Sequence, residues 1–178
     1  MKRGSGKMGN KTNDVLTISR YIVNECNSKK IIISNLKLQK LLYLVQGFYM
    51  AFYHKRCFDD DIQAWDYGPV CPNAYHEFKR FGANNIPPIH QYEELIYKDK
   101  KLKWVRHDFK STDIDDTTRE IIDAVVESYG RYSATALVNI THKQKPWDET
   151  YHLHPSEKNV VIDDELIESY FEGLVENG

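Results

Sequence analysis

The sequence predicts a mainly α protein of the α+β kind: a compact helical domain around a central helix with one or two short β-hairpins. Two observations carry this reading. Residues 35–55 hold a wide, continuous apolar stripe, and further segments on either side repeat apolar residues every three or four positions behind good capping residues. Between them lie short β-branched or alternating stretches bounded by Gly, Pro and Asn.

Asn13 or Asp14 caps the first helix, whose Val15, Ile18, Ile22 and Cys26 form one stripe until "NSKK" breaks it. Ile31, Ile32 and Ile33 are β-branched and suit a short extended segment. Ser34 caps the central helix, "NLKLQKLLYLVQGFYMAFYHK", and its Leu38, Leu41, Leu42, Val45, Tyr49 and Phe52 are expected in one core. Ile62 to Trp65 reads as a strand ended by "YGPV". Pro72 fits a first helical position, where its missing N–H costs nothing. Tyr75, Phe78 and Phe81 follow at spacings of three, and Gly82 suits the position just past the helix end. "NNIPP" is a loop, after which Leu102, Trp104 and Arg106 alternate as on a hairpin strand. Asp115, Asp116 or Thr117 caps a helix carrying Ile121, Ile122, Val125, Val126 and Tyr129, closed by Gly130. Ser133 caps another, with Leu137, Val138 and Ile140, that ends before Pro146. Val160 to Ile162 is extended, and Asp163 or Asp164 caps the last helix.

A chain of 178 residues fits one domain. It is expected over residues 13–178, behind a flexible basic arm, residues 1–12, that holds Lys2, Arg3, Lys7 and Lys11 and no acid. The whole chain has 24 Lys and Arg against 26 Asp and Glu, so the part after the arm has 20 against 26. That acidic balance argues against nucleic acid as the main partner. The one local basic run, "KDKKLKWVRHDFK", is interrupted by Asp99 and Asp108 and fits a solvated hairpin. No apolar run approaches the ~20 residues of a membrane helix, and the basic, glycine-containing start lacks the apolar centre of a secretory signal. A cytoplasmic protein with no membrane partner is expected. Cys26, Cys57 and Cys71 are too widely spaced for a CxxC zinc site and suit a reducing compartment.

Seven histidines raise the question of metal or acid–base chemistry. His152 and His154 form HxH, but no third ligand stands at a recognisable spacing, so no metal or cofactor is expected. His142 and Asp148 flank "KQKPW" as a base and its orienting carboxylate would. A GxSxG elbow, an HExxH pair and a phosphate-cradling glycine loop are all missing from the sequence, so no catalytic residue is nominated and the chain reads as a non-enzyme. Trp65, Tyr67, Tyr75, Trp104 and Trp147 fit either core packing or interface anchors. Tyr67 and Trp147, beside turn prolines, are expected to be partly exposed.

Three segments resemble one family when taken together. They are "NLKLQKLLYLVQGFYMAF" (35–52), "FDDDIQAWDYGPVCPNAYHEFK" (58–79) and "LVNITHKQKPW" (137–147). The second has the Trp-x-x-Gly-Pro-Val-x-Pro-x-x-Tyr pattern, through Trp65, Gly68, Pro69, Val70, Pro72 and Tyr75. The third has Thr-His-x-x-x-Pro-Trp, through His142, Pro146 and Trp147. In this order they are similar to the Panacea antitoxin-domain family, also described as SocA-like or phage-associated GepA-like proteins. Residues 86–112 match nothing in that pattern. The resemblance implies an antitoxin of a bacterial or prophage toxin–antitoxin system that neutralises a protein toxin encoded nearby by direct binding. It implies as an alternative a proteolytic adaptor delivering the toxin to a ClpXP-type protease; a hydrolase using His142 and Asp148 is the third reading. The residues implicated in partner binding are Trp65, Tyr67, Gly68, Pro69, Pro72, Tyr75, His142, Pro146 and Trp147. The acidic last helix, with Asp163, Asp164, Glu165, Glu168, Glu172 and Glu176, is expected to favour a basic toxin surface.

Overall fold

A computed structural model describes residues 12–178, so the expected basic arm lies, apart from Thr12, outside the described residues. The chain runs α1 (Val15–Ser28), α2 (Asn35–Tyr53), β1 (Gln63–Trp65), β2 (Gly68–Val70) and α3 (Pro72–Phe78) into a 3-10 turn, Lys79–Phe81. A hairpin, β3 (Gln91–Lys98) and β4 (Lys101–Asp108), and a second 3-10 turn, Ser111–Asp113, lead to α4 (Asp116–Tyr129) and α5 (Ala134–His142). The chain closes with α6 (Lys145–Leu153), β5 (Val160–Val161) and α7 (Asp164–Asn177). The fold is mainly α with two small antiparallel sheets, as the sequence predicts.

Five helices start where a short polar side chain accepts a backbone N–H. Asp14 takes Thr17, Ser34 takes Lys37, Asp115 takes Thr118, Ser133 takes Ala136 and Asp163 takes Glu165. Such caps satisfy donors that the first turn leaves free. The other two, α3 and α6, carry a proline in the first turn instead, Pro72 at the first position and Pro146 at the second. The sequence reading placed Pro146 beyond a helix end and found no α6. The proline both ends one helix and starts the next.

Helix α2 is the centre of the packing. It contacts α1, α3, α4, α5, α7 and β2, and Leu38, Leu41, Leu42, Tyr43, Leu44 and Val45 are all without exposure. A helix apolar on nearly every side must be surrounded. One expected core residue fails: Phe52 is 51% exposed. It lies on the correct face, but the surrounding elements stop after Met50, which is buried. Periodicity gives the face of a helix and not where its cover ends.

β1 pairs antiparallel with β2, Ala64 opposite Pro69 and Trp65 opposite Gly68, and β5 joins the other edge of β1. The first strand ends at Trp65 as expected, and "YGPV" then supplies the last turn residue, Tyr67, and the whole of β2, a strand the sequence reading does not include. The Ile31–Ile33 run joins no sheet. Ile31 and Ile33 are buried and Ile32 is 72% exposed, while Ile33 exchanges hydrogen bonds with the Asn85 side chain and the Ile86 N–H. β3 and β4 form the long hairpin expected near Leu102, with Asp99 and Lys100 at its turn, both with positive φ.

Candidate partner-binding site

The polar residues of α2 are buried with the apolar ones, and each holds backbone that lacks a regular partner. Gln46 accepts from the N–H groups of Cys57 (2.9 Å) and Phe58 (3.3 Å), and its own amide donates to the Phe58 carbonyl. Gln39 accepts from the Cys71 N–H at 3.1 Å and donates to Asn35, which donates to the Tyr75 carbonyl. Lys40 Nζ donates to the Pro69 carbonyl at 3.0 Å. Buried backbone outside helices and sheets must find such partners, and the second segment, 58–79, finds them on the first.

The third segment closes the same corner. Gly68 has φ +100°, and a Cβ there would stand 2.8 Å from Lys40 Cε and 2.9 Å from Thr141 Oγ1. Glycine is required on both grounds. The Trp147 indole donates to the Trp65 carbonyl at 2.9 Å, stacks on His142 with centroids 3.8 Å apart, and stacks on Tyr151 on its other side. Tyr151 donates to Asp66 in the hairpin turn at 2.9 Å. All three family-like segments thus meet around Gly68 and Pro69.

This arrangement sorts the expected site residues. Tyr67 is 70% exposed, as predicted from its turn. Trp147 is only 4% exposed, against expectation, because Pro146 opens a helix that turns the indole inward beneath the β1–β2 turn. Gly68, Pro69, Pro72, His142, Pro146 and Trp147 shape the corner from below. Trp65, Tyr67 and Tyr75 instead line an open groove of about 700 Å³, together with Gln39, Ala64, His152, His154 and residues 157–159. Trp65 and Tyr75 meet edge-to-face at 4.9 Å. Lys79, Lys158, Asp66 and Glu157 are all on the lining, so the groove is aromatic and mixed in charge.

Acid–base chemistry is not assembled here. Asp148 pairs with His152 at 3.1 Å rather than with His142. Burial, then the charge of Lys40, lowers the His142 pKa. His154 turns to Glu157, so the HxH histidines do not converge. Among the described residues, the group that offers metal-ligand geometry is His54, Glu168 and Glu172, whose ligand atoms lie within 4.8 Å of one another. The sequence hides it because His54 sits far from α7; the spacing of four between Glu168 and Glu172 is its only trace. His54 bonds Glu168 at 2.8 Å and Glu172 at 3.2 Å, and the Glu168 bond raises its pKa. With Asp164 paired to Arg56 at 2.6 Å, half of the acids expected to face a partner are ion-paired within the chain, and Asp163 is occupied as a helix cap.

Lys40 carries a pH signature. Its ammonium is fully buried with one carbonyl acceptor, and desolvation drops it to about 7, below the ordinary 10.5. Between those values the unfolded chain holds a proton that the folded one does not, so stability rises with pH at up to ~1.4 kcal/mol per unit. Urea unfolding is expected to show a gain of about 1–2 kcal/mol from pH ~7 to ~8.5. Above pH ~9 the cysteines oppose it, since burial pushes Cys26 and Cys71 up to about 11. Lys40→Met should flatten the rise; an unchanged slope in that variant would assign it to another group.

The family model described as Antitoxin SocA-like, Panacea domain, matches residues 38–148. The protein "Antitoxin SocA" of Caulobacter vibrioides (strain NA1000 / CB15N) is 32% identical over 136 residues, covering 76% of this chain and 69% of that protein. No solved structure matches the chain. The matched residues take in the corner and the groove except for Asn35 and Leu36, the last part of α6 and the 154–159 loop.

Proposed function

The chain belongs to the SocA-like Panacea antitoxin family, and we propose that it is the antitoxin of a bacterial or prophage pair, neutralising a nearby-encoded protein toxin by binding it directly. The observation that carries direct binding is the groove. It is open, and it is lined by Trp65, Tyr67 and Tyr75 of the second family-like segment beside Asn35, Leu36 and Gln39 of the first. Aromatic residues on a rigid, partly desolvated lip are the usual anchors of protein interfaces. Here the lip is rigid because Gln39, Lys40 and Trp147 fix its backbone.

In this reading Trp65, Tyr67 and Tyr75 contact the toxin, and Gly68, Pro69, Pro72, His142, Pro146 and Trp147 hold the contact surface in shape. Residues 13–178 act as one domain in the cytoplasm, without cofactor and without a reaction of their own. The pairing of Asp148 with His152 supports this over a hydrolase, since it leaves His142 without its orienting carboxylate.

The test is titration of the purified chain with the toxin encoded beside it. Tyr67→Ala is expected to weaken binding by about 2 kcal/mol, near 30-fold. Its melting temperature should hold, because so exposed a side chain contributes within about 0.5 kcal/mol to folding. Undiminished affinity in Tyr67→Ala would move the contact away from the groove, and no binding by the natural chain would refute direct neutralisation.

A further inference from the structure

The described residues expose thirteen large apolar side chains, and four of them share one face of the β3–β4 hairpin: Leu95 (46%), Tyr97 (72%), Leu102 (68%) and Trp104 (69%). Leu95 stands opposite Trp104 and Tyr97 opposite Leu102. Residues directly opposite, and residues two apart on one strand, point to the same side. The next pair toward the body is Glu93 with Arg106, closed at 3.1 Å, so the patch ends there on a neutral rim.

The hairpin is tied down only near its root. Arg20 lies 3.6 Å over the Tyr92 ring and Asn24 exchanges two hydrogen bonds with Ile89, while the Phe109 N–H to the His90 carbonyl only extends the hairpin's own ladder. Two strands with an uncovered apolar face are marginal in water. A contiguous apolar patch containing Trp and Tyr marks an interaction surface. The solvated hairpin expected from sequence is thus present as a hairpin, with one apolar face on its outer half.

Charge selects the occupant. Residues 95–104 hold Lys98, Lys100, Lys101 and Lys103 against Asp99 alone, whereas the chain as a whole is at −2, leaving −5 elsewhere. Among the described residues Lys98, Lys100 and Lys101 have no carboxylate within salt-bridge distance, and Lys103 meets Asp99 only at 3.9 Å. Lys98, Lys101 and Lys103 sit on the face opposite the patch. The ribbon is two strands wide, about 5 Å between strands, so long lysine stems reach its edges and border the patch. Two such tips facing each other would repel, which disfavours a second copy of this chain.

We propose that the Leu95–Tyr97–Leu102–Trp104 face is a second docking surface for the toxin, taking an apolar patch of the toxin bordered by carboxylates. The proposal rests on the direct-binding reading above. It also fits the area required. A stable complex covers about 800 Å² on each partner, more than the lip of one groove offers. The two surfaces are linked through one short segment: Lys79, Gly82 and Ala83 border the groove, while Arg80 and Phe81 line a cleft with Gln91 and Asp108 at the hairpin root.

The experiment compares three full-length proteins titrated with the toxin encoded by the adjacent gene: the natural chain, a Tyr97→Ser/Trp104→Ser double variant, and a Lys98→Glu/Lys101→Glu/Lys103→Glu triple variant. The double variant is expected to melt like the natural chain and to bind at least about 30-fold more weakly. The triple variant should associate about tenfold more slowly at low salt, with the difference shrinking at high salt. Affinities within threefold of the natural chain in both variants would overturn the proposal. So would a doubled mass of the natural chain alone that the double variant abolishes, since the face would then join two copies. If the natural chain binds and Tyr67→Ala weakens it while the hairpin variants do not, only the hairpin proposal falls. If the natural chain fails to bind, both fall.

Discussion

Trp147→Ala is expected to lower the unfolding free energy by about 3–5 kcal/mol. The indole is 4% exposed, sandwiched between His142 and Tyr151, and it donates to the Trp65 carbonyl. Truncation removes the largest side chain of the corner, leaves a cavity, and strips a carbonyl of its donor. Trp147→Phe keeps most of the volume and loses only the N–H, so it should cost about 1–3 kcal/mol. Urea unfolding of the two variants separates packing from hydrogen bonding. A loss below about 1 kcal/mol for Trp147→Ala would mean that the ring faces solvent, as its place beside Pro146 first implied.

The second large effect concerns α2. Leu41→Ala should cost about 2–5 kcal/mol, since Leu41 is fully buried on a helix contacted by five others. Phe52→Ala provides the internal comparison. Although both residues belong to one apolar stripe, Phe52 is half exposed and its truncation should cost far less than that of Leu41. Equal losses at the two positions would show that the last turn of α2 is covered. An unchanged melt in Leu41→Ala would make the helix peripheral.

Much of this architecture is legible in the sequence because its causes are local. Asp14, Ser34, Asp115, Ser133 and Asp163 cap helices through their own side chains, and Pro72 and Gly82 bound a short helix by their backbone restrictions. Helix α6 was not legible, since a proline reads equally as the end of one helix or the start of another. The burial of Trp147 follows from that ambiguity. Gln39, Lys40 and Gln46 gave a weak signal. Gln39 and Gln46 are seven apart and so share a helix face, but nothing local says that this face meets backbone rather than water. The His54–Glu168–Glu172 cluster and the exposed side of the hairpin depend on long-range placement, which no short pattern records. The aromatic pattern of the second segment was legible as a motif, yet only the fold separates Trp65, Tyr67 and Tyr75, which line the groove, from Gly68, Pro69 and Pro72, which shape it.

Neutralisation by sequestration requires that the complex alone silence the toxin. An adaptor requires in addition that the toxin be destroyed. Growth rescue on co-expression with the toxin from the adjacent gene, measured in cells with and without the ClpXP-type protease and paired with recovery of the complex, separates them. Sequestration predicts equal rescue in both strains, unchanged toxin levels and a recoverable complex that the Tyr67→Ala variant weakens. Rescue that disappears without the protease, or rescue with no measurable complex, would contradict it.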